Sequence, residues 1–182
     1  MKSMTNKEKT KISKYLSLVL RHKPEEIGLD LDDDGWTNVD ELLQKTGLGL
    51  EDLKEVVDTN DKKRFAFSDD FKKIRANQGH SIKVDLKIKP TIPPEILYHG
   101  TAEKNIVSIF EKGILKQDRN YVHLSADFVT AKNVGMRYGK PFILEIFALK
   151  MHQEGYKFYL SKNNVWLTNF VPRGFLCFES QY

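Results

Sequence analysis

Apolar residues at Ile12, Tyr15, Leu16, Val19 and Leu20 recur with the three- and four-residue spacing of one helix face, and Pro24 stops that helix. Arg21-His22 therefore falls in its last turn. Thr37 or Asn38 caps a second short helix that carries Val39, Leu42 and Leu43 and ends at Gly47. Leu50, Leu53, Val56 and Val57 mark a third. Arg64-Phe65-Ala66-Phe67 then alternates, Ser68-Asp69-Asp70 turns, and Phe71 to Ala76 leads back, which predicts a hairpin. Beyond Pro90-Thr91-Ile92-Pro93-Pro94, through which no helix can pass, the pattern changes to short strands. Ile96-Leu97-Tyr98, Tyr121 to Leu124, Phe142 to Leu149, Lys157-Phe158-Tyr159, Val165-Trp166-Leu167 and Phe175 to Phe178 read as strands. Helices are expected at Ile106 to Phe110, stopped by Gly113, and from Ala126 to Tyr138.

These elements make an α+β protein of two lobes, with residues 1–89 as the first, 90–94 as an extended linker and 95–182 as a β-rich second lobe. Three helices followed by a hairpin is the outline of a winged helix. Winged helices are common on nucleic acids, but that step is fold analogy alone.

Composition narrows the function less than the pattern does. The 182 residues are 40% hydrophobic, enough for two small cores. No apolar run reaches the roughly 20 residues that span a bilayer, and the polar start has no signal-peptide core, so a cytoplasmic protein is expected. The lone Cys177, in an apolar run, excludes an internal disulfide and a cysteine-based zinc site. Net charge is +4, with the 29 basic and 25 acidic residues spread along the chain. Any nucleic-acid binding thus has to come from a local patch.

The chemistry sits in compact polar clusters. Arg75-Ala76-Asn77-Gln78-Gly79-His80-Ser81 combines a cation, two amides, an imidazole and a hydroxyl around one glycine, a composition suited to phosphate and equally common in plain surface loops. Arg21-His22 is either a helix C-cap or part of a site. Arg64, beside Lys63, reads on its own as an exposed strand residue. His99 lies at a strand end before Gly100-Thr101, where a glycine permits close approach of a ligand. His123 lies inside Val122-His123-Leu124-Ser125, where an imidazole needs a partner in the core or from a ligand. Phosphate-loop and dinucleotide fingerprints are missing, as are H-E-x-x-H and a calcium-loop spacing around Asp32-Asp33-Asp34-Gly35, so no metal is expected.

Taken in order, Leu16 to His22, Asp61 to Phe65, Ile74 to Ser81, Leu97 to Thr101, Val122 to Ser125 and Asn164 to Thr168 resemble the RNA 2′-phosphotransferase family. The resemblance runs from Ile12 to about Phe178. It implies an N-terminal winged helix and a C-terminal ADP-ribosyltransferase-like lobe, with NAD as a consumed cosubstrate and RNA bearing an internal 2′-phosphate as the other. By resemblance Arg21, His22, Arg64 and Arg119 form the catalytic set. Tyr98, His99, Gly100, Thr101, His123, Leu124, Ser125 and Val165 hold NAD. Arg75, Asn77, Gln78 and His80, with Lys72 and Lys73 nearby, hold the RNA. Tyr98, Phe158 and Trp166 are candidates to stack on NAD, against the reading that strand aromatics are core. Asn164 departs from the family pattern, where a glycine usually precedes Val-Trp-Leu-Thr, and Pro172-Arg173-Gly174 replaces a Pro-Pro-Lys type of turn; both are expected to shift the rim of the NAD pocket.

The implied reaction has two steps, attack of the 2′-phosphate on the nicotinamide ribose and then release of RNA with a 2′-hydroxyl. His22 either bridges phosphate and ribose or acts as acid–base in the second step. Two other classes remain as alternatives: an ADP-ribosyltransferase acting on RNA or DNA ends or on protein, and a non-catalytic RNA-binding module. A monomer is expected, with no membrane partner.

Overall fold

A computed structural model of the chain describes residues 4–178. The chain divides into two compact units between Lys87 and Ile88.

The first unit begins with α1 (Asn6–Arg21), which starts six residues before its apolar stripe because Thr5 and Glu8 form a reciprocal capping box. The helix ends at Arg21, and Pro24 opens a short 3₁₀ turn, Pro24–Ile27. Next come β1 (Trp36–Asn38), α2 (Val39–Thr46), α3 (Leu50–Asp58), β2 (Phe65–Phe67) and β3 (Lys73–Ala76). Asn38 caps α2 by accepting from the Glu41 N–H, and Gly47 ends it at φ 71°, where glycine carries no Cβ penalty. The hairpin is joined by β1, absent from the sequence reading, to give an antiparallel sheet in the order β1-β3-β2, with Trp36 opposite Arg75 and Phe65 opposite Ala76. Trp36-Thr37-Asn38 holds a single apolar residue, so β1 shows no alternation in the sequence.

Leu16, Leu20, Leu42, Leu53, Phe65 and Ile74 are buried in one core. Leu20, Phe65 and Ala76 each stand next in sequence to a polar residue of interest, Arg21, Arg64 and Asn77. Burying a Leu or Phe side chain stabilises by about 1.5–3 kcal/mol, so the core edge anchors all three polar neighbours. His80 is also enclosed here, 2% exposed, and its Nε2 finds no hydrogen-bond partner. Burial first, then the charges of Arg21, His22 and Arg75, push its pKa down to about 4, so the ring is neutral at pH 7.

The second unit contains β4 (Ile96–Ala102), α4 (Ile106–Lys112), β5 (Ile114–Leu115), β6 (Val122–Leu124), α5 (Phe128–Gly135), β7 (Pro141–Phe147) and α6 (Ala148–Gln153). β8 (Phe158–Leu160), β9 (Trp166–Thr168), β10 (Phe170–Val171) and β11 (Leu176–Cys177) complete it. One sheet runs β11-β7-β4 and another β6-β9-β8, while β5 pairs with β10. A bridge between Tyr98 and Ser125 connects β4 to the end of β6. The Pro90–Pro94 stretch falls within this unit, where Thr91 N–H donates to the Phe158 carbonyl at 2.8 Å. Ala148 and Leu149, expected to extend a strand, instead open α6, and Phe175 lies in a 3₁₀ turn. Apolar runs this short do not separate strand from helix by periodicity.

Gly100 is where α5 meets β4. A Cβ there would overlap the Ala131 carbonyl oxygen and stand 3.0 Å from the Gly135 nitrogen on the same helix. The close approach that this glycine permits is thus to the protein's own helix.

Two expectations follow for stability. Gly100→Ala loses roughly 3 kcal/mol or more, whereas Gly174→Ala, which meets nothing within 4 Å, stays within roughly 0.5 kcal/mol of the parent; denaturant midpoints of the two variants check this. The second concerns His80, whose folded pKa of about 4 lies below its ordinary 6.5. Above pH 6.5 both states are neutral there. As pH falls from 6.5 towards 4 only the unfolded chain gains the proton, so stability is lost through that window, by up to roughly 3 kcal/mol. Unfolding of the parent and of His80→Asn across pH 4–7 should show a shallower pH slope in the variant.

Candidate active site

The C-terminus of α1, the loop before β2 and the segment after β3 converge in the first unit. The Arg21 carbonyl at the helix end accepts from the N–H groups of Ser81 at 2.9 Å and Ile82 at 3.4 Å. Its guanidinium lies 5.8 Å from the Phe65 ring centre, and Nη2 donates to the Arg64 carbonyl at 3.3 Å. The same carbonyl accepts the Asn77 N–H at 2.8 Å. Gly79 passes the guanidinium at φ 89°, and a Cβ there would stand 3.4 Å from Arg21 Nη1, so a side chain would crowd the cation as well as strain the backbone. His22 Nδ1 and Ser81 Oγ are hydrogen-bonded at 2.9 Å.

Arg64 is held from both directions. Asn60 Oδ1 accepts from Arg64 Nη1 at 3.3 Å and from its backbone N–H at 3.4 Å, while Asn60 Nδ2 donates to Ser13 Oγ on α1 at 3.0 Å. On the other side Asn77 Nδ2 donates to the carbonyl of Lys63 at 2.6 Å, which braces Lys63 in a left-handed conformation at φ 40°. Arg21, His22 and Arg64 thus lie in one region of the first unit, Arg21 held by the Arg64 carbonyl, His22 by the Ser81 hydroxyl and Arg64 by the Asn60 amide. A pair of fixed guanidiniums and an imidazole suits a dianionic phosphate.

Of the four residues expected to hold RNA, two are enclosed and two are half-buried. Asn77 is 6% exposed and His80 2%, so both side chains act inside the unit. Arg75 stacks 4.5 Å over the Trp36 ring and donates from Nη1 to the Asp34 carbonyl at 3.2 Å. Burial lowers its pKa, against the opposing carboxylates of Asp34 and Asp32. Gln78 is half-buried. Lys73 pairs with Asp32 at 3.1 Å. Polar composition alone does not distinguish a side chain that braces a site from one that faces a ligand. Asn60 carries no mark in the sequence, and Ser81 stands out only as the hydroxyl of the polar run, because an ordinary loop carries both residue types.

In the second unit His99 Nδ1 lies 3.1 Å from the His123 carbonyl. A carbonyl only accepts, so Nδ1 carries the hydrogen and Nε2 of the neutral ring is an acceptor. Burial lowers the His99 pKa, the His123 carbonyl opposes that, and the charge of Arg119 lowers it further. Arg119 itself stands exposed in the turn after β5. Tyr98 exchanges backbone hydrogen bonds with Ser125 at 2.8 and 2.9 Å and meets Phe128 edge-on. His99, His123, Tyr98, Ser125 and Arg119 therefore share one region of this unit.

Other members of the expected NAD-binding set are taken up by the fold. Leu124 is core, Gly100 is covered by α5, and Thr101 is buried with its Oγ1 accepting from Asn105 Nδ2 at 3.1 Å. Phe158 and Trp166 are core as well. Val165 is half-buried at the end of a turn whose Asn164 has φ 59°. Asparagine tolerates that left-handed conformation better than other non-glycine residues, so its exchange for glycine leaves the turn intact. Arg173 lies 4.9 Å over the Phe110 ring. Among the described residues no three His, Cys, Asp or Glu side chains gather as a metal site requires, and no helix is long and apolar enough to cross a membrane.

A family model described as "RNA 2′-phosphotransferase, Tpt1 / KptA family" matches residues 7–170. The chain is similar to proteins named "Probable RNA 2′-phosphotransferase" from several bacteria. It is 53% identical to that of Fusobacterium nucleatum subsp. nucleatum over 174 residues, 92% of this chain and 97% of the relative. It is 49% identical to that of Trichormus variabilis over 178 residues, 95% and 98% of the two chains, and 53% identical to that of Flavobacterium johnsoniae over 174 residues, 93% and 96%. With the match covering the α1 terminus, the Arg64 loop and the segment after β3, the chain belongs to the RNA 2′-phosphotransferase, Tpt1/KptA family.

Proposed function

We propose that this chain is an NAD-dependent RNA 2′-phosphotransferase, built from a winged-helix lobe and an ADP-ribosyltransferase-like lobe. The observation that carries the reading is the gathering of Arg21, His22 and Arg64, with Arg21 Nη2 on the Arg64 carbonyl and His22 on Ser81. Three histidine-sheet contacts in the second unit support the NAD half: Nδ1 of His99 on the His123 carbonyl, the Tyr98–Ser125 pairing, and the charge of Arg119 felt at His99. An acceptor Nε2 on His99 suits a ribose hydroxyl, so the residues present fit the cosubstrate.

A phosphate monoester has its second pKa near ~6, so the RNA 2′-phosphate is mostly dianionic at neutral pH and needs no base. Arg21 and Arg64 hold it in line for attack on the anomeric carbon of the nicotinamide ribose. A P–O–C bond forms, the C–N bond to nicotinamide breaks, and nicotinamide leaves with that electron pair. In the second step the ribose 2″-hydroxyl oxygen attacks phosphorus, and the bond from phosphorus to the RNA 2′-oxygen breaks. The hydroxyl proton passes to that 2′-oxygen. The products are 2′-OH RNA and ADP-ribose 1″,2″-cyclic phosphate. Cations stabilise the charge that builds on the phosphoryl oxygens in this step, the part assigned to Arg119.

The experiment incubates a short RNA bearing one internal 2′-phosphate with the protein, with and without NAD, and resolves products by gel and mass spectrometry. NAD-dependent conversion to 2′-OH RNA with nicotinamide and the cyclic phosphate is expected. Modification of an RNA end, with the 2′-phosphate retained, would overturn the reading in favour of a different transferase. Arg21→Ala and Arg64→Ala should each lower the overall rate by roughly 10²–10³. Arg119→Ala should let ADP-ribosylated RNA accumulate while the final products form slowly; release of product RNA at the parent rate would remove Arg119 from the second step.

A further inference from the structure

A groove of about 490 Å³ in the first unit runs along the outer face of α1 and ends at Arg64. Thr10, Lys14 and Ser17 line it from the helix, and Asn60 and Lys62 from the loop before β2. Thr10, Lys14, Ser17 and Arg21 follow one another at spacings of four, three and four, so they form a single stripe on the helix. Nothing in the function derived so far uses this stripe beyond Arg21.

We infer that the groove is the track for the RNA backbone next to the 2′-phosphate, with Lys14 as the ligand of a neighbouring phosphodiester. This rests on the reading of Arg64 as a ligand of the 2′-phosphate. Three features of the lining point to RNA backbone. Cations dominate the wall: Lys14, Lys62 and Arg64 stand against the single carboxylate of Asp61, while Lys9 is neutralised by Glu55 at 2.7 Å. Lys14 is exposed and has no carboxylate partner among the described residues. The hydroxyls and the Asn60 amide are already bonded within the unit, Thr10, Ser17 and Thr59 donating to helix carbonyls, so the cations are what the groove offers a phosphate. No aromatic residue lines the groove, so it offers no platform for stacking a base. The track therefore reads charge without reading sequence.

The geometry assigns a separate phosphate to Lys14. Seven residues of helix set it about 10 Å along the axis from Arg21, two turns from the group that grips the 2′-phosphate. The volume lies within the range of roughly 300–1,000 Å³ that ligand-sized pockets occupy, room for a short stretch of strand beyond the reacting nucleotide.

The test compares Lys14→Ala and Lys14→Glu with the parent by fluorescence anisotropy, across a range of salt. The probes are a labelled single-stranded RNA with one internal 2′-phosphate and several nucleotides on each side, and a 2′-phosphorylated dinucleotide as competitor. Lys14→Ala should reduce the log–log salt slope for the long RNA by about 0.7, the loss of one single-strand phosphate contact. Lys14→Glu should weaken long-RNA binding about tenfold or more, and the ratio of long- to short-probe affinity should fall in both variants. With turnover, the same variants should raise KM for the long RNA and hold kcat. Long-RNA binding and salt slope equal to the parent, or an equal loss for both probes, would overturn the inference. Turnover by the parent with Lys14 variants binding as the parent does rejects the groove alone. Lys14-dependent binding of the long RNA without any 2′-phosphate removal rejects the proposed reaction and leaves the groove standing.

Discussion

The Arg64 carbonyl is the point on which the first unit's site depends. It accepts the Asn77 N–H and the Arg21 guanidinium together, and so ties the end of α1, the loop before β2 and the segment after β3 to one oxygen. Arg21 is the last residue of α1, and Arg64 and Asn77 lie just outside β2 and β3. What keeps them there is the residue next to each: Leu20, Phe65 and Ala76 are buried in the same core. Apolar burial supplies the stabilisation, and the hydrogen bonds to Arg64 supply the direction, because each such bond adds only about 1 kcal/mol net yet is costly to leave unmade.

This arrangement explains why several conspicuous polar residues are engaged within the protein itself. Asn77 braces the left-handed Lys63, Arg75 stacks on Trp36, and His80 sits neutral inside the unit. Two arginines held close together need rigid support, and side-chain amides that bond backbone provide it. The same logic recurs in the second unit, where Gly100 admits α5 and the His123 carbonyl sets the tautomer of His99. In both units the chemically conspicuous motif divides into residues that present groups and residues that hold them.

The helices of the first unit were legible because apolar spacing and caps agree there: Leu16 to Leu20, Asn38 and Gly47 all fall where a 3.6-residue period and capping chemistry put them. The strands were less so. β1, β5 and β10 are two or three residues long and carry too few alternating apolar residues to stand out; β1 is held by the longer β3, while β5 and β10 pair with each other. α6 was hidden by an apolar run that suits a strand equally well.

The sequence by itself determined which residue types were available: arginines and a histidine at Arg21-His22 and Arg64 in the first unit, Arg119 in the second, and a single cysteine in the whole chain. It also determined where α1 starts and stops, since the capping box at Thr5 and Glu8 and the proline at Pro24 each act over a few residues. Only the tertiary structure decided which polar groups are presented and which are enclosed. Segments some forty to sixty residues apart meet at the Arg64 carbonyl and at Ser81. Such contacts depend on how cores pack, and the residues that make them carry no local mark of it.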